Sequence, residues 1–394
     1  MVNPARAQTW ALTGADTNLQ WNAIACSADG ARLAATVFAG GIYISTNAGG
    51  TWCLSGAPST NTYWGRIVSS ADGMKLAVTD PYDGLVYGSA DGGTTWTSNY
   101  VSGLPLISLA SSADGTRLIA GSESDALYIS TNTGITWSRT NLPVSPFGIS
   151  VASSTDGTRL AAANEAIFTS TNSGATWQMS GAPTNEYWKS IASSADGTKL
   201  AAGGYSSVFG ISQDGVFVSP DGGATWTTNG LPLPGYMPFV ASSADGTTLM
   251  AVATDLSVAR DGVIFTSTNS GKTWIKAMAP DAAWGGVACS ADGSKLFAAA
   301  HPSPIGLLDG NQIGGIYTLQ ITNYPTLSLT RSAGRLVISW RPFSPNLILQ
   351  QNTNLGPDGW TDVPLPPMPN LAGFIPKILV SPTNARTFYR LKSP

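Results

Sequence analysis

An eight-residue pattern, Ser-x-(Asp or Asn)-x-Gly-x-Thr-Trp, occurs six times in this chain of 394 residues. The copies occupy residues 45–52, 89–96, 130–137, 170–177, 219–226 and 267–274. Asp or Asn in such a turn accepts backbone hydrogen bonds, and Gly adopts the positive φ that other residues resist. Four of the six copies carry Asn, so the position requires an acceptor rather than a charge. We therefore interpret the pattern as a structural β-turn with Trp folded back as an apolar plug.

A second motif, Ser-Ala-Asp-Gly or Ser-Thr-Asp-Gly, marks seven tight turns between alternating apolar runs. These turns occupy residues 27–30, 70–73, 112–115, 154–157, 194–197, 243–246 and 290–293. Their spacing, roughly 40 to 49 residues, is the period of a β-propeller blade. The seventh repeat lacks its last strand. Residues 9–15 match the sequence of the last strand of the first repeat, residues 51–57, and could supply the missing strand. The sequence predicts an all-β, seven-bladed β-propeller over residues 1–324, closed by the N-terminal strand.

The eight-residue pattern resembles the Asp box, or BNR repeat, of sialidase-like β-propellers. This resemblance implies the architecture and not the chemistry. Sialidase activity requires an arginine cluster, whereas the basic residues expected on the loop-bearing face come from scattered blades. These residues are Arg66, Arg139, Arg260, Lys189 and Lys276.

Residues 325–394 have a different pattern, with short alternating strands separated by Pro-rich turns. They predict a small C-terminal β-sandwich. The strand pattern resembles fibronectin-III-like modules appended to secreted bacterial enzymes. We expect a spacer or docking role for this module rather than a second active site.

Composition excludes several classes of function. Charged residues make up 11% of the chain, the net charge is −3, and there is no basic run, so we expect no nucleic-acid partner. No apolar stretch approaches the roughly 18 residues of a membrane span. The N-terminus lacks an apolar signal segment, yet the low Lys content and the Ser/Thr/Gly-rich hairpins are typical of an exported protein whose leader was replaced by Met. We expect a secreted or periplasmic monomer.

Metal and thiol chemistry are equally restricted. His301 is the only histidine, which excludes a His-ligated zinc cluster. Asp309-Gly310-Asn311 lacks the full pattern of a calcium loop, so calcium is a weak alternative to no cofactor. We expect Cys26, Cys53 and Cys289 to be small buried thiols; pairing of Cys26 with Cys289 stays open.

The order of strands in a blade determines on which face of the propeller each loop emerges. Turns between the first and second and between the third and fourth strands emerge on one face. The remaining loops emerge on the other, which we call the variable face, and variable loops on a rigid scaffold carry function. Twelve carboxylates outside the repeated turns are predicted there: Asp16, Asp80, Asp83, Glu123, Asp125, Glu165, Glu186, Asp214, Asp255, Asp261, Asp281 and Asp309.

Aromatic residues recur where each inner strand begins, and aromatic rings stack on the C–H faces of sugars. The candidate substrate-binding residues are Trp21, Tyr63, Trp64, Tyr187, Trp188 and Trp284, with Arg66 and Lys189 beside them. The alternative is that such residues fill space between blades, which is favoured for Phe147 and Phe239.

The candidate catalytic carboxylates are Asp80, Asp83, Glu123, Glu165 and Glu186. Asp80-Pro81-Tyr82-Asp83 resembles a blade sequence of xyloglucan-active propeller glycosidases. Those enzymes use two propellers, whereas one is predicted here. Glu123 with Asp125, or Glu165 opposite Glu186, would supply the second member of an acid/base pair. Ordinary solvated loops explain the same residues.

Two hypotheses follow. The first is an exported propeller that binds a glycan or polysaccharide, with carboxylate-dependent glycoside hydrolysis as an open extension. The alternative is a non-catalytic scaffold for a protein or cell-surface partner that uses the same face.

Overall fold

The computed structural model divides the chain into two compact units, Met1–Gln320 and Ile321–Pro394. It describes residues 10–58, 63–123, 126–142, 148–184, 186–206, 215–228, 231, 236–255, 262–280, 282–301, 314–321, 326–332, 335–341, 348–352, 360–363, 377–380 and 388–392. The described residues contain strands and no helix, hence no helix that could span a membrane.

The first unit is the predicted seven-bladed propeller, in which every blade is a four-stranded antiparallel sheet. The first strand of the chain, β1 (Ala11–Leu12), belongs to the last blade. Blade 1 contains β2 (Trp21–Cys26), β3 (Leu33–Val37), β4 (Ile42–Ser45) and β5 (Cys53–Leu54). Blade 2 contains β6 (Ile67–Ser69), β7 (Leu76–Thr79), β8 (Leu85–Ser89) and β9 (Thr97–Tyr100). Blade 3 contains β10 (Leu106–Ser111), β11 (Leu118–Ser122), β12 (Leu127–Ser130) and β13 (Ser138–Arg139).

The remaining blades repeat this order. Blade 4 contains β14 (Ser150–Ser153), β15 (Leu160–Ala163), β16 (Ile167–Ser170) and β17 (Gln178–Met179). Blade 5 contains β18 (Glu186–Ser193), β19 (Leu200–Ser206), β20 (Gly215–Ser219) and β21 (Thr227–Thr228). Blade 6 contains β22 (Tyr236–Ser242), β23 (Leu249–Asp255), β24 (Gly262–Ser267) and β25 (Ile275–Lys276). Blade 7 contains β26 (Ala283–Cys289), β27 (Lys295–His301), β28 (Gly315–Gln320) and β1.

In blade 7, the outer strand comes from the start of the chain. Leu12 pairs with Tyr317 and Ala11 with Thr318 in antiparallel register. The amide of Thr13 then donates to the carbonyl of Ile316 at 2.9 Å. This pairing covers the backbone edge that β28 would otherwise expose.

The seven Asp-Gly turns are joined by a closed ring of backbone hydrogen bonds. The second residue of each turn donates its N–H to the carbonyl of the same position in the next blade, with N···O distances of 2.7 to 2.8 Å. The donors, in order, are Ala28, Ala71, Ala113, Thr155, Ala195, Ala244 and Ala291, and Ala291 donates back to Ala28. Lysines reinforce the ring: Lys75 Nζ donates to the backbone carbonyl of Asp114 at 2.8 Å, not to its carboxylate.

The eight-residue turns have the predicted geometry. In blade 2, Asp91 Oδ1 accepts the amides of Thr94 and Thr95 at 3.0 and 2.9 Å. Gly93 has a φ of +92°. Trp96 Nε1 donates to the carbonyl of Gly93 at 3.0 Å, and the Trp96 ring packs against the core shared by blades 1 and 2. The side-chain acceptor and the Trp plug therefore have structural roles.

The inner strand of every blade lines a central channel of about 1020 Å³. The last residue of each of these seven strands is Ser in five blades and Cys in the two that meet at the ring closure, namely Cys26 and Cys289. Both are free thiols, and Cys26 Sγ donates to the carbonyl of Cys289 at 3.3 Å. Cys53 is exposed on β5, which corrects the expectation that all three thiols are buried.

The second unit contains two three-stranded antiparallel sheets. One comprises β29 (Thr326–Ser332), β30 (Arg335–Arg341) and β33 (Lys377–Val380), and the other β31 (Ile348–Asn352), β32 (Thr361–Asp362) and β34 (Phe388–Lys392). Ile338 and Leu349, one from each sheet, are fully buried. The sandwich packing and the fibronectin-III-like identity of this unit stay predictions.

Candidate functional site

The loop between β7 and β8 is shaped by Asp80. Its Oδ1 accepts the amides of Tyr82 and Asp83 at 2.8 and 3.1 Å, and its own amide donates to the Leu85 carbonyl at 2.8 Å. Gly84 closes the loop with a φ of +63°, and a Cβ there would lie 1.8 Å from the carbonyl oxygen of Ser102. Asp80 is only 4% exposed, whereas Tyr82 is 60% exposed. The Asp80 carboxylate thus stabilises the loop conformation in which Tyr82 is exposed to solvent.

Three aromatic rings form a continuous exposed surface on the variable face, which we call the aromatic strip: Phe38, Tyr63 and Tyr82. Phe38 and Tyr63 meet through an antiparallel bridge between blades 1 and 2, with ring centroids 5.2 Å apart. Tyr63 and Tyr82 also lie 5.2 Å apart, with their ring planes at 78°. These edge-to-face contacts hold each ring in place while leaving it accessible.

The other exposed large apolar side chains of the described residues are scattered: Leu54, Met179 and Ile275 lie on the outer strands of separate blades, Ile135 lies in an eight-residue turn and Met278 follows β25. Apolar residues exposed singly are normal on protein surfaces, whereas a contiguous aromatic surface indicates a binding site.

The four predicted tryptophans do not belong to this surface. Trp21, Trp64, Trp188 and Trp284 are 0 to 3% exposed; the first three pack in cores shared by neighbouring blades, and Trp284 contacts Tyr317 edge to face at 5.5 Å. Trp64, for example, contacts Tyr87 edge to face at 5.0 Å. This finding corrects the prediction that these indoles stack on a substrate: their position at the start of an inner strand is the position that fills the wedge between neighbouring blades.

Arg66 extends across the mouth of the central channel. It enters from blade 2, where the Arg66 amide donates to Thr79 Oγ1 at 3.0 Å. Its Nη1 donates to the carbonyl of Gly285 in blade 7 at 2.9 Å, and its Cζ lies 4.5 Å from the ring centroid of Phe239 in blade 6. One side chain therefore connects three blades through a hydrogen bond and a cation–π contact.

Lys189 reaches the same ring from blade 5. The pairing of β18 with β19 shifts register between Trp188 and Ser190, so Lys189 is the extra residue of a β-bulge, a device that re-aims a side chain. It lines the channel, and its Nζ lies 5.9 Å from the Phe239 centroid. Arg66 and Lys189 come from separate blades, as the sequence indicates, but both approach Phe239, and we call them the cationic pair.

The electrostatics of the channel mouth reflect this convergence. Burial lowers the pKa of Arg66 from 12.5 to about 10. Desolvation by the channel walls, and then the charge of Arg66, lower the pKa of Lys189. The same two causes, in the same order, lower the pKa of half-buried His301. The site is positively charged; Arg66 is half-buried in it, whereas Lys189 is exposed to the channel.

The five candidate carboxylates are distributed over four blades. Asp83 is exposed in the Tyr82 loop, and Glu123 is exposed and lines the channel. Glu186 is 2% exposed, and Asp80 is engaged by its own loop. Glu165 is half-buried in the loop between β15 and β16. Burial disfavours direct ligand contact by Asp80 and Glu186, which leaves Asp83 and Glu123 as the accessible candidates.

The remaining predicted residues add little to this region. Tyr187 is half-buried and lines the channel. Arg139 and Lys276 lie on the outer strands β13 and β25. Asp125, Phe147, Asp214, Arg260, Asp261, Asp281 and the possible calcium loop at residues 309–311 lie outside the described residues, as does the side chain of Asp255. Within the described ranges, no group of three or more His, Cys, Asp or Glu residues is arranged to hold a metal ion.

Sequence reasoning missed two members of the site. Phe38 follows β3 without any motif, and for Phe239 the sequence favoured packing between blades over a position at the channel mouth. The exposure of Tyr82 could have been predicted from the sequence. An Asp that starts a tight turn ending in Gly places the intervening residues at the tip of the loop.

No protein-family model and no curated protein sequence matches the chain. Among solved structures, the GH74 xyloglucanase from Xanthomonas campestris is similar with a TM-score of 0.55 and 13% identity over 84% of this chain. The GH74 enzyme from Niastella koreensis has a TM-score of 0.60 and 16% identity, again over 84%. The chain spans 59% of the length of each of these enzymes.

A third similar structure is YCF48 bound to D1 peptide. Its TM-score is 0.56 at 13% identity, and the match covers 81% of this chain and 100% of that one. Similarity at these identities establishes the propeller fold alone.

Proposed function

We propose that this chain is an exported, glycan-binding propeller whose aromatic strip is the surface that contacts sugar. The observation that carries the proposal is the contiguous exposure of Phe38, Tyr63 and Tyr82, at 45%, 38% and 60%. Aromatic faces pack on the C–H surfaces of sugar rings, while tyrosine hydroxyls supply hydrogen bonds at the rim. The fold similarity to GH74 enzymes supports a glycan as the ligand. Export is supported by the low charge content of 11%.

Glycoside hydrolysis is an extension of this proposal. Asp83, beside the strip, and Glu123, in the channel, are its accessible carboxylates. Acid/base or nucleophilic catalysis needs both carboxyl groups to face one bound sugar. Under this extension, Asp83→Asn and Glu123→Gln would each abolish hydrolysis while retaining binding.

Binding is tested by affinity electrophoresis of the purified chain through a panel of polysaccharides. The test variant is the double substitution Tyr63→Ala with Tyr82→Ala, and the matched control is Tyr100→Ala, because Tyr100 is 68% exposed in the same blade but lies on the outer strand β9. We expect at least one polysaccharide to retard the wild-type chain, and the double variant to weaken this binding on the order of tenfold. Absence of any retardation, or equal losses in the double variant and the control, would refute the proposal.

The second candidate is a non-catalytic scaffold for a protein partner. It is favoured by the similarity to YCF48 bound to D1 peptide, a structure that the match covers over its full length. The same variants separate the two: a chain that ignores every polysaccharide but captures a protein partner through Tyr63 and Tyr82 is a scaffold.

A further inference from the structure

We infer that the channel mouth binds an oxyanion substituent, a carboxylate or a sulfate, of an acidic polysaccharide, held between Arg66 and Lys189. This inference deepens the proposed function and rests on it for the identity of the polymer. The anion site itself rests on the geometry of the channel and is tested separately below.

The first argument is uncompensated charge. Arg66 and Lys189 approach the same Phe239 ring from blades 2 and 5. Within the described part of the chain, neither side chain forms an ion pair, although Glu123 lines the same channel. Two like charges in a partly desolvated site repel one another, and an anion between them would remove that cost.

The second argument is the presence of further donors. Arg66 uses Nη1 on the Gly285 carbonyl, which leaves other guanidinium N–H groups for a ligand. Asn164 lines the channel and is 4% exposed, and its Nδ2 has no hydrogen-bond partner in the described structure. The Asn164 carbonyl accepts the amide of Trp188 at 2.7 Å, so the backbone of Asn164 adjoins the residue that precedes Lys189.

The third argument is the position of the pair relative to the aromatic strip. Arg66 is three residues beyond Tyr63 on the segment that enters β6. A chain of sugars stacked on the strip would therefore have a route from the rim toward the channel mouth. Arginine and lysine recognise carboxylate and sulfate oxygens by charge-assisted hydrogen bonds.

The test compares matched polymers that differ only in charge. One arm uses oligogalacturonate and its fully methyl-esterified form, and the other uses a sulfated galactan and the same galactan after desulfation. Isothermal titration is performed with the wild type, Lys189→Gln and the control Lys276→Gln, which removes the same charge on outer strand β25. We expect the acidic form of at least one pair to bind about tenfold more tightly than its neutral form, and Lys189→Gln to abolish that preference. The arm that shows the preference identifies the substituent as carboxylate or sulfate.

Equal affinity for the acidic and neutral forms, or equal losses in Lys189→Gln and Lys276→Gln, would overturn the inference. If no polymer binds, the proposed function fails and inorganic sulfate becomes the probe. Thermal unfolding is then followed in sulfate and in chloride at equal ionic strength. A higher melting temperature in sulfate that is lost in Lys189→Gln would support the anion site without the glycan, whereas identical shifts in both proteins would refute it.

Discussion

The amide nitrogen of Ala291 lies 2.7 Å from the carbonyl oxygen of Ala28, to which it donates a hydrogen bond. This contact joins the seventh Asp-Gly turn to the first and closes the ring of backbone hydrogen bonds. On the outer side of the same blade, β1 pairs with β28. The closure of the ring therefore depends on two contacts between distant parts of the chain.

Removal of residues 1–13 should destabilise the propeller, because it deletes β1 together with Trp10, which is 6% exposed. Loss of a buried Trp alone costs about 3 to 5 kcal/mol. The free energy of unfolding, measured in urea, should fall by at least about 3 kcal/mol. Equal stability of the truncated and untruncated proteins would contradict the role of β1.

Acid should destabilise the chain through its Asp-Gly turns. Hydrogen bonds, first from Ser112 and Ser154, lower the pKa values of Asp114 and Asp156 from 3.8 to about 2. The unfolded chain therefore binds more protons than the folded chain in this window, so the stabilisation is complete above pH 3.8 and is lost as the pH falls to about 2. The urea midpoint should fall over that range.

The matched variant for this experiment is the double substitution Asp114→Asn with Asp156→Asn. It keeps the Oδ1 acceptors but does not titrate, and Asn already occupies the equivalent acceptor position in four of the eight-residue turns. The acid-induced fall should be smaller in this variant than in the wild type. Parallel curves for the two proteins would contradict the assignment.

The three thiols should differ in reactivity. Burial raises the pKa of Cys26 to about 12 and that of Cys289 well above its usual 9, so both stay protonated near neutral pH, whereas Cys53 is exposed. The thiolate is the reactive form. A maleimide should therefore label one thiol in the folded chain and three in urea, and Cys53→Ser should abolish the native labelling. Labelling of two or more thiols in the folded chain would show that the channel thiols are accessible.

Neighbouring aromatic residues should separate stability from binding. Trp64→Ala should cost about 3 to 5 kcal/mol of unfolding free energy, because the indole is 1% exposed. Tyr63→Ala should change stability by less than about 1 kcal/mol and should weaken glycan binding. Denaturation and affinity electrophoresis on the same two variants check both statements. A stable Trp64→Ala protein with lost binding would restore the indole as a sugar-stacking residue.

The propeller was readable from the sequence because its signals are local and repeated. Asp72, for example, accepts the Ser70 hydroxyl and the Met74 amide within its own turn, so its geometry follows from neighbouring residues. Seven repetitions of such a turn fix the number of blades. The same reasoning predicted which loops share a face, because that depends only on the order of strands.

The site was less readable because its contacts join different blades. Residues 66, 189 and 239 belong to blades 2, 5 and 6, and only the closed ring brings them together. The prediction that the tryptophans contact substrate was wrong for a related reason. A residue at the start of an inner strand faces either the channel or the adjacent blade, and the amino-acid type does not decide which. The Trp188 ring packs in the core shared by blades 4 and 5, whereas the side chain of Lys189, displaced by the bulge, approaches Phe239.

The most direct test of the account is a crystal structure of the chain with the oligosaccharide selected by the polysaccharide panel. The measurement is the position of the sugar rings relative to Phe38, Tyr63 and Tyr82. The account predicts sugar rings in van der Waals contact with the exposed tyrosine faces at the boundary of blades 1 and 2. Sugar bound elsewhere on the propeller, or on the C-terminal unit with the strip unoccupied, would contradict it.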